Sequence, residues 1–130
     1  MQLNNPAMNI ITKLLSVQAQ VRVYHWQTKS YAEHKALNHL YKMLDGLIDT
    51  FVETFSGKKG GVPVSTDNFI FTAENYKDNK SVMSFLDEIL VYLTQDIPTM
   101  LDKQKDTDLL NIRDEMLGAI NQTKYLLRLK

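Results

Sequence analysis

The sequence predicts an all-α fold, a four-helix bundle with one long connection between its second and third helices, and three observations carry the prediction. Apolar residues recur at steps of three and four in four separate stretches. Two of the breaks between them are a few residues long, whereas the third, GKKGGVPVSTDNFIFTAENYKDN, has no sustained period. With 130 residues and 44% hydrophobic content, the chain suits one domain, residues 1–130.

Helix A is expected over about 6–27, where Asn5-Pro6 supplies a cap and a first-turn proline. Met8, Ile11, Leu14, Leu15, Val17, Val21 and Tyr24 make its apolar stripe. Ser30 and Glu33 then form an S-x-x-E capping box, so helix B, about 31–56, starts after a tight turn and runs antiparallel to helix A. Its stripe is Leu37, Tyr41, Leu44, Ile48, Phe51 and Phe55, with Gly57 as the stop. Gly46 inside it costs about 1 kcal/mol relative to alanine, and would also permit close approach of another helix.

The crossover, about 57–79, is expected to pack through Phe69, Ile70, Phe71 and Tyr76, with a short helical turn near Thr72 to Lys77. Lys58 and Lys59 read as a solvated loop. Helix C, about 80–103, carries Val82, Phe85, Leu86, Ile89, Leu93, Ile97 and Met100, with Pro98 bending or dividing it. Asp106 or Thr107 caps helix D, about 107–129, whose inward set is Leu109, Ile112, Met116, Ile120, Thr123 and Leu127. Two short connections and one long one give the up-down-down-up order of ferritin-like bundles.

Fifteen basic and fifteen acidic residues cancel, leaving no global field to hold nucleic acid or an anionic membrane. The absence of cysteine removes disulfides, zinc knuckles and thiol nucleophiles, and fits a reducing compartment. No apolar run of about 18 residues occurs, and MQLNNPAMNI lacks the pattern of a secretory signal, so a cytoplasmic protein is expected. If the source is viral, that is the host cytoplasm.

The chemistry-bearing residues lie close together in sequence. His25-Trp26 ends helix A, and His34, Asn38, Asp49 and Glu53 follow on helix B. With His34 at zero, Asp45, Asn38, Asp49 and Glu53 fall at roughly 20°, 40°, 60° and 100°, on one flank of the cylinder. Imidazoles with carboxylates suit Fe(II), Mn(II) or Zn(II). His34 and Asp49 are nevertheless fifteen residues apart, roughly 22 Å along a helix, so one helix cannot close both around one ion. A second copy running antiparallel, with a dyad near Met43 and Leu44, would bring His34 of one chain to Asp49 and Glu53 of the other.

Other uses compete. His25 also suits a helix C-terminal cap, and Asp49 and Glu53 a solvated face or an ion pair with Lys13. Glu33 reads as a capping residue, His39 as surface. The intrasubunit di-iron pattern of bundle cores is absent, since Glu53, Glu88 and Glu115 have no histidine three residues on.

HWQTKSYAEHKALNHLYKMLDGLIDTFVE resembles the Dps-like, or mini-ferritin, branch of the ferritin superfamily. There a His-Trp pair ends helix A, a histidine opens helix B, and Asp-x-x-x-Glu follows at the intervals that separate His34 from Asp49 and Glu53. The resemblance implies oxidation of Fe(II) by peroxide or dioxygen at an intersubunit site, with iron detoxification or storage as the outcome. It implies His25 and His34 as ligands from one subunit, Asp49 and Glu53 from its mate, Trp26 lining the site and Asn38 hydrogen-bonding behind it. Iron is the expected metal, with zinc or manganese as substitutes, and the assembly a homodimer or a larger homo-oligomeric shell. Asn38 stands where many members carry aspartate, the turn between the histidines is about three residues shorter, and no lysine-rich extension suggests DNA condensation. A similar motif occurs in small ferritin-like proteins of phages and large DNA viruses. The competing expectation is accordingly a non-enzymatic dimeric structural or interaction protein of viral origin, with a vestigial or redox-silent site.

Overall fold

The computed structural model describes residues 6–61 and 72–129, with side chains from Ile10 onward, and among them every regular element is helical. α1 (Pro6–Gln27) opens on its proline, whose fixed φ and missing N–H suit that position. Ile10, Leu14, Val17, Val21 and Tyr24 are its buried stripe, while Leu15 sits half-buried at the edge. The expected roles of Asn5 and of the Met8 side chain lie outside the described residues.

α2 (Tyr31–Lys59) follows at once and buries Leu37, Leu40, Leu44, Ile48, Phe51 and Phe55, while Tyr41 stays at the edge of the stripe. It runs past Gly57, contrary to the expected stop there. Gly60 ends it instead, at φ 87°, with its N–H donating to the Ser56 carbonyl at 2.8 Å. The extra turn is held from afar: Lys58 reaches the Lys105 carbonyl (2.7 Å) and Asp108 (3.2 Å), and both Lys58 and Lys59 lie 3.6 Å from the buried Asp106 carboxylate. These lysines are therefore helical and paired, which corrects their reading as a solvated loop.

α3 (Asn79–Val91) is capped by Asp78, whose carboxylate accepts the Ser81 N–H. The helical backbone continues through a π-helical turn (Tyr92–Asp96) into α4 (Ile97–Met100). Pro98 explains the widened turn. The Ile97 N–H bonds the Tyr92 carbonyl, and Pro98 has no N–H to offer the next one, so the Leu93 carbonyl takes a donor from another helix, Arg113 Nη1 at 2.9 Å. The helix ends at Met100, short of the expected Lys103, because Leu101 is extended and Asp102 accepts the N–H groups of Gln104 and Lys105.

α5 (Thr107–Arg128) buries Leu109, Met116, Ile120, Thr123 and Leu127 as expected, adds Ala119, and leaves Ile112 half-buried. Asp106 precedes it without capping it. Its side chain turns back to accept the Asp102 N–H at 2.8 Å. α2 packs against both α1 and α5, α3 packs against α5, and an edge-on Tyr24–Phe85 contact at 5.7 Å joins α1 to α3. Their inward side chains merge into one core, in which each fully buried Leu, Ile or Phe contributes about 1.5–3 kcal/mol.

Residues 72–78 are not helical, which corrects the turn expected near Thr72 to Lys77. Two glutamines of α1 take the backbone groups a helix would have used. Gln20 accepts the Glu74 N–H (2.6 Å) and donates to the Glu74 carbonyl (2.9 Å), while Gln27 accepts the Tyr76 N–H (2.6 Å). Tyr76 is half-buried against the core. The packing expected of Phe69, Ile70 and Phe71 lies outside the described residues.

Candidate functional site

The tight turn between α1 and α2 brings His25 and His34 face to face, with ring centroids 4.0 Å apart and planes 17° from parallel. Each Nδ1 lies 2.9 Å from the backbone carbonyl oxygen of the other residue. A carbonyl can only accept, so both rings carry hydrogen on Nδ1, and their Nε2 atoms have no hydrogen-bond partner among the described residues. The short turn thus pairs the histidines rather than separating them. An N–H to carbonyl bond at one ring nitrogen is the arrangement that orients metal-binding histidines.

Around this clasp lies an aromatic surface. Tyr31, 74% exposed, lies 6.3 Å from the His34 ring, and Trp26 is 66% exposed. The Arg22 guanidinium sits over both Trp26 (5.2 Å) and Tyr41 (4.3 Å), bridging α1 and α2 on their outer side. Arg22 makes no ion pair among the described residues, and the partners of its half-buried guanidinium there are these two π faces. Its place in the stripe Gln18, Arg22, Trp26 was visible in the sequence, but its use was not.

The rest of the expected set follows along α2. Asn38 is half-buried one turn beyond His34, Asp45 accepts a hydrogen bond from Gln18 (2.8 Å), and Asp49 and Glu53 are exposed. Neither Asp49 nor Glu53 forms an ion pair among the described residues; Lys13, their expected partner, lies over the Tyr92 ring instead. The helix therefore brings His25 and His34 together and holds Asp49 and Glu53 several turns away. Among the described residues no three metal-binding side chains gather within one chain. Beside Asp45 and Asp49, the seam of α1 and α2 opens into a mostly apolar groove of about 290 Å³ with Ile11, Leu15, Ile48 and Val52 in its walls. His39 is exposed, as expected.

Glu33 departs from its expected capping role. Its N–H does bond the Ser30 hydroxyl (3.1 Å), but the other half of the box is missing, because the Ser30 N–H donates to Thr28. The freed carboxylate is 4% exposed and accepts from Thr28 Oγ1 (2.5 Å) and Asn79 Nδ2 (2.6 Å). It ties the first turn to the start of α3. Burial, with Glu33 nearby, pushes the Tyr76 hydroxyl above its ordinary pKa.

The chain is 30% identical over 119 residues to the uncharacterized 14.6 kDa protein in the mobD-ri intergenic region of Enterobacteria phage T4, an alignment that spans 90% of this chain and 84% of that protein. No solved structure matches it. Residues 25–127, which begin at the histidine clasp and take in the whole α2 flank, match the family of unknown function (DUF5856). The chain carrying this clasp therefore belongs to the DUF5856 family.

Proposed function

We propose that the protein is a Dps-like, ferritin-like bundle that binds Fe(II) as substrate and oxidises it with peroxide or dioxygen at a site shared between two copies, limiting free iron. One observation carries the reading: the reciprocal clasp commits both Nδ1–H groups to backbone carbonyls and leaves two Nε2 atoms without a hydrogen-bond partner among the described residues, and helical rotation puts His34 on the flank of α2 that also bears Asp49 and Glu53. When unprotonated, each Nε2 offers a lone pair. Imidazole nitrogens with carboxylate oxygens fit Fe(II), and carboxylates favour the ferric product.

His25 and His34 of one copy, with Asp49 and Glu53 of a second, would hold the metal, with Asn38 and Trp26 beside it. The electron balance needs a named oxidant. Two Fe(II) ions supply one electron each, and with two protons these reduce one hydrogen peroxide to two waters. The four-helix frame with its long crossover would serve as the rigid support for ligands on two facing helices.

The test follows Fe(III) formation by near-ultraviolet absorbance after adding Fe(II) in air or with peroxide. The initial rate is expected to fall at least about tenfold in a His34→Ala, Glu53→Ala double variant, which is about 1.4 kcal/mol of transition-state stabilisation. Equal rates in the two proteins would remove the site. A second reading, a structural dimer holding a redox-silent ion such as zinc, is favoured by one fact: the two histidines already satisfy each other's backbone within a single chain. Bound zinc after native purification, with no Fe(II) oxidation, would select it.

A further inference from the structure

On α1, helical rotation sets Lys13, Gln20 and Tyr24 roughly 160–200° from Arg22, on the side turned away from the seam with α2. There α1, α3 and the non-helical residues 72–78 border a cavity of about 430 Å³. Its floor is aromatic and its walls are polar. Tyr24 meets the half-buried Phe85 edge-on at 5.7 Å, and Ser16, Ser84, Glu74 and Glu88 stand around them. None of these residues belongs to the proposed metal set.

Two properties of the lining point to a ligand. The first is Tyr24, a phenol only 3% exposed that lines the cavity and whose hydroxyl has no hydrogen-bond partner among the described residues. Buried hydroxyls are normally bonded. This one keeps its proton, because burial above all, then the charges of Glu74 and Glu88, pushes it above its ordinary 10.0, so it offers a hydrogen to an acceptor inside the cavity. The second is the sign of the field. Glu74 and Glu88 form no ion pair among the described residues, and theirs are the charges that act on the phenol. Of the two lysines in the lining, Lys13 lies over the Tyr92 ring at 5.6 Å and Lys80 is exposed, while Asp78 is committed to the Ser81 N–H. A negative hollow with aromatic faces favours an organic cation. A bare metal ion does not suit it, since no three metal-binding side chains gather among the described residues.

We infer that this cavity binds a small organic ammonium that also carries hydroxyl groups, of the amino-sugar class. Glu74 and Glu88 hold the ammonium, a ligand oxygen accepts from the Tyr24 hydroxyl, and the C–H face of the sugar ring rests on Phe85. The volume suits a ligand of that size. Because the cavity and the histidine clasp use different sides of α1, this site and the iron reading can fail separately.

Titration of the full chain with glucosamine at pH 6, where the amine is charged, followed by amide NMR, gives affinity and place together. The amides of Gln20, Ser81 and Ser84 are expected to shift while those of His34 and Asp49 stay still, with a dissociation constant of about 2 mM or below from the usual efficiency per non-hydrogen atom. Glucose, which lacks the charge, and putrescine, which lacks the oxygens, should each bind at least about fivefold more weakly. Glu88→Gln should weaken glucosamine at least about fivefold, and Tyr24→Phe about threefold to tenfold. Both variants are expected to keep the wild-type Tm, since Glu88 is exposed and the Tyr24 hydroxyl bonds nothing among the described residues. No shift at about 20 mM glucosamine, ten times the expected constant, would overturn the proposal. So would glucose or putrescine binding as tightly as glucosamine, or an affinity that neither substitution moves.

Discussion

Replacing Glu33 by alanine should loosen the end of the bundle that carries the histidine clasp. Its carboxylate is 4% exposed, accepts from Thr28 and Asn79, and has no cation within 4.0 Å among the described residues. Each hydrogen bond to a charged group contributes about 1.5–3 kcal/mol, but Asn79 is exposed and recovers water when the carboxylate goes, so the expected total loss is about 2–4 kcal/mol. For 130 residues, an unfolding entropy of about 2.1 cal/mol/K per residue turns this into a Tm decrease of about 7–15 °C. Glu33→Gln supplies the control. Its amide oxygen can still accept from Asn79 while its nitrogen donates to the Thr28 hydroxyl, so it should cost less than about 1 kcal/mol. The assay is urea unfolding followed by circular dichroism, with calorimetry for Tm. An alanine variant within about 0.5 kcal/mol of wild type, or a glutamine variant as damaged as the alanine one, would refute the assignment of Glu33 as the tie between the first turn and α3.

Two further outcomes test other parts of the frame. The Asp102 N–H above all, with Lys59 and Lys58 adding to it against the cost of burial, holds the Asp106 carboxyl below its ordinary 3.8. A depressed folded pKa means that this stabilisation is fully present above about pH 4 and fades as the pH falls through the folded value. Asp106→Asn should therefore lower Tm by about 4–7 °C at pH 6, from a loss of about 1–2 kcal/mol, with the gap closing toward pH 2.5; a constant gap in calorimetric scans across that range would contradict it. Gly46→Ala, in an exposed turn of α2 with nothing within 4 Å of the new methyl, should raise protomer stability by about 1 kcal/mol and Tm by about 3–4 °C in thermal melts, and a decrease would show that this turn is constrained.

Amphipathic stripes and local caps were legible because their causes are local. Val21, Leu37, Ile48, Leu86 and Ile120 are buried where their periods placed them, and Pro6 and Ser30 begin the helices they were expected to begin. Gly57 misled because an exposed glycine costs a helix only about 1 kcal/mol, which contacts from Lys58 and Lys59 to the distant Asp106 and Asp108 can offset. Residues 72–78 misled for a related reason. Their backbone partners, Gln20 and Gln27, lie some fifty positions upstream, and no window along the chain contains both. The candidate site divides in the same way. That His34, Asn38, Asp49 and Glu53 share a flank follows from helical geometry alone, whereas the stacking of His25 on His34 depends on how the turn closes.

By itself, then, the amino-acid order determined the four amphipathic stretches that form the main helices, most of the stripe that each turns inward, and which polar residues share one flank of the second, because rotation per residue is a property of the backbone. Only the tertiary structure decided that each histidine ring reaches the other's carbonyl, that Glu33 bonds Asn79, that Arg22 rests between Trp26 and Tyr41, and that Arg113 serves the carbonyl stranded by Pro98. Each of those contacts joins groups remote from one another along the chain or set by the angle of a turn. Their partners are chosen by the packing of the helices, which no local period encodes.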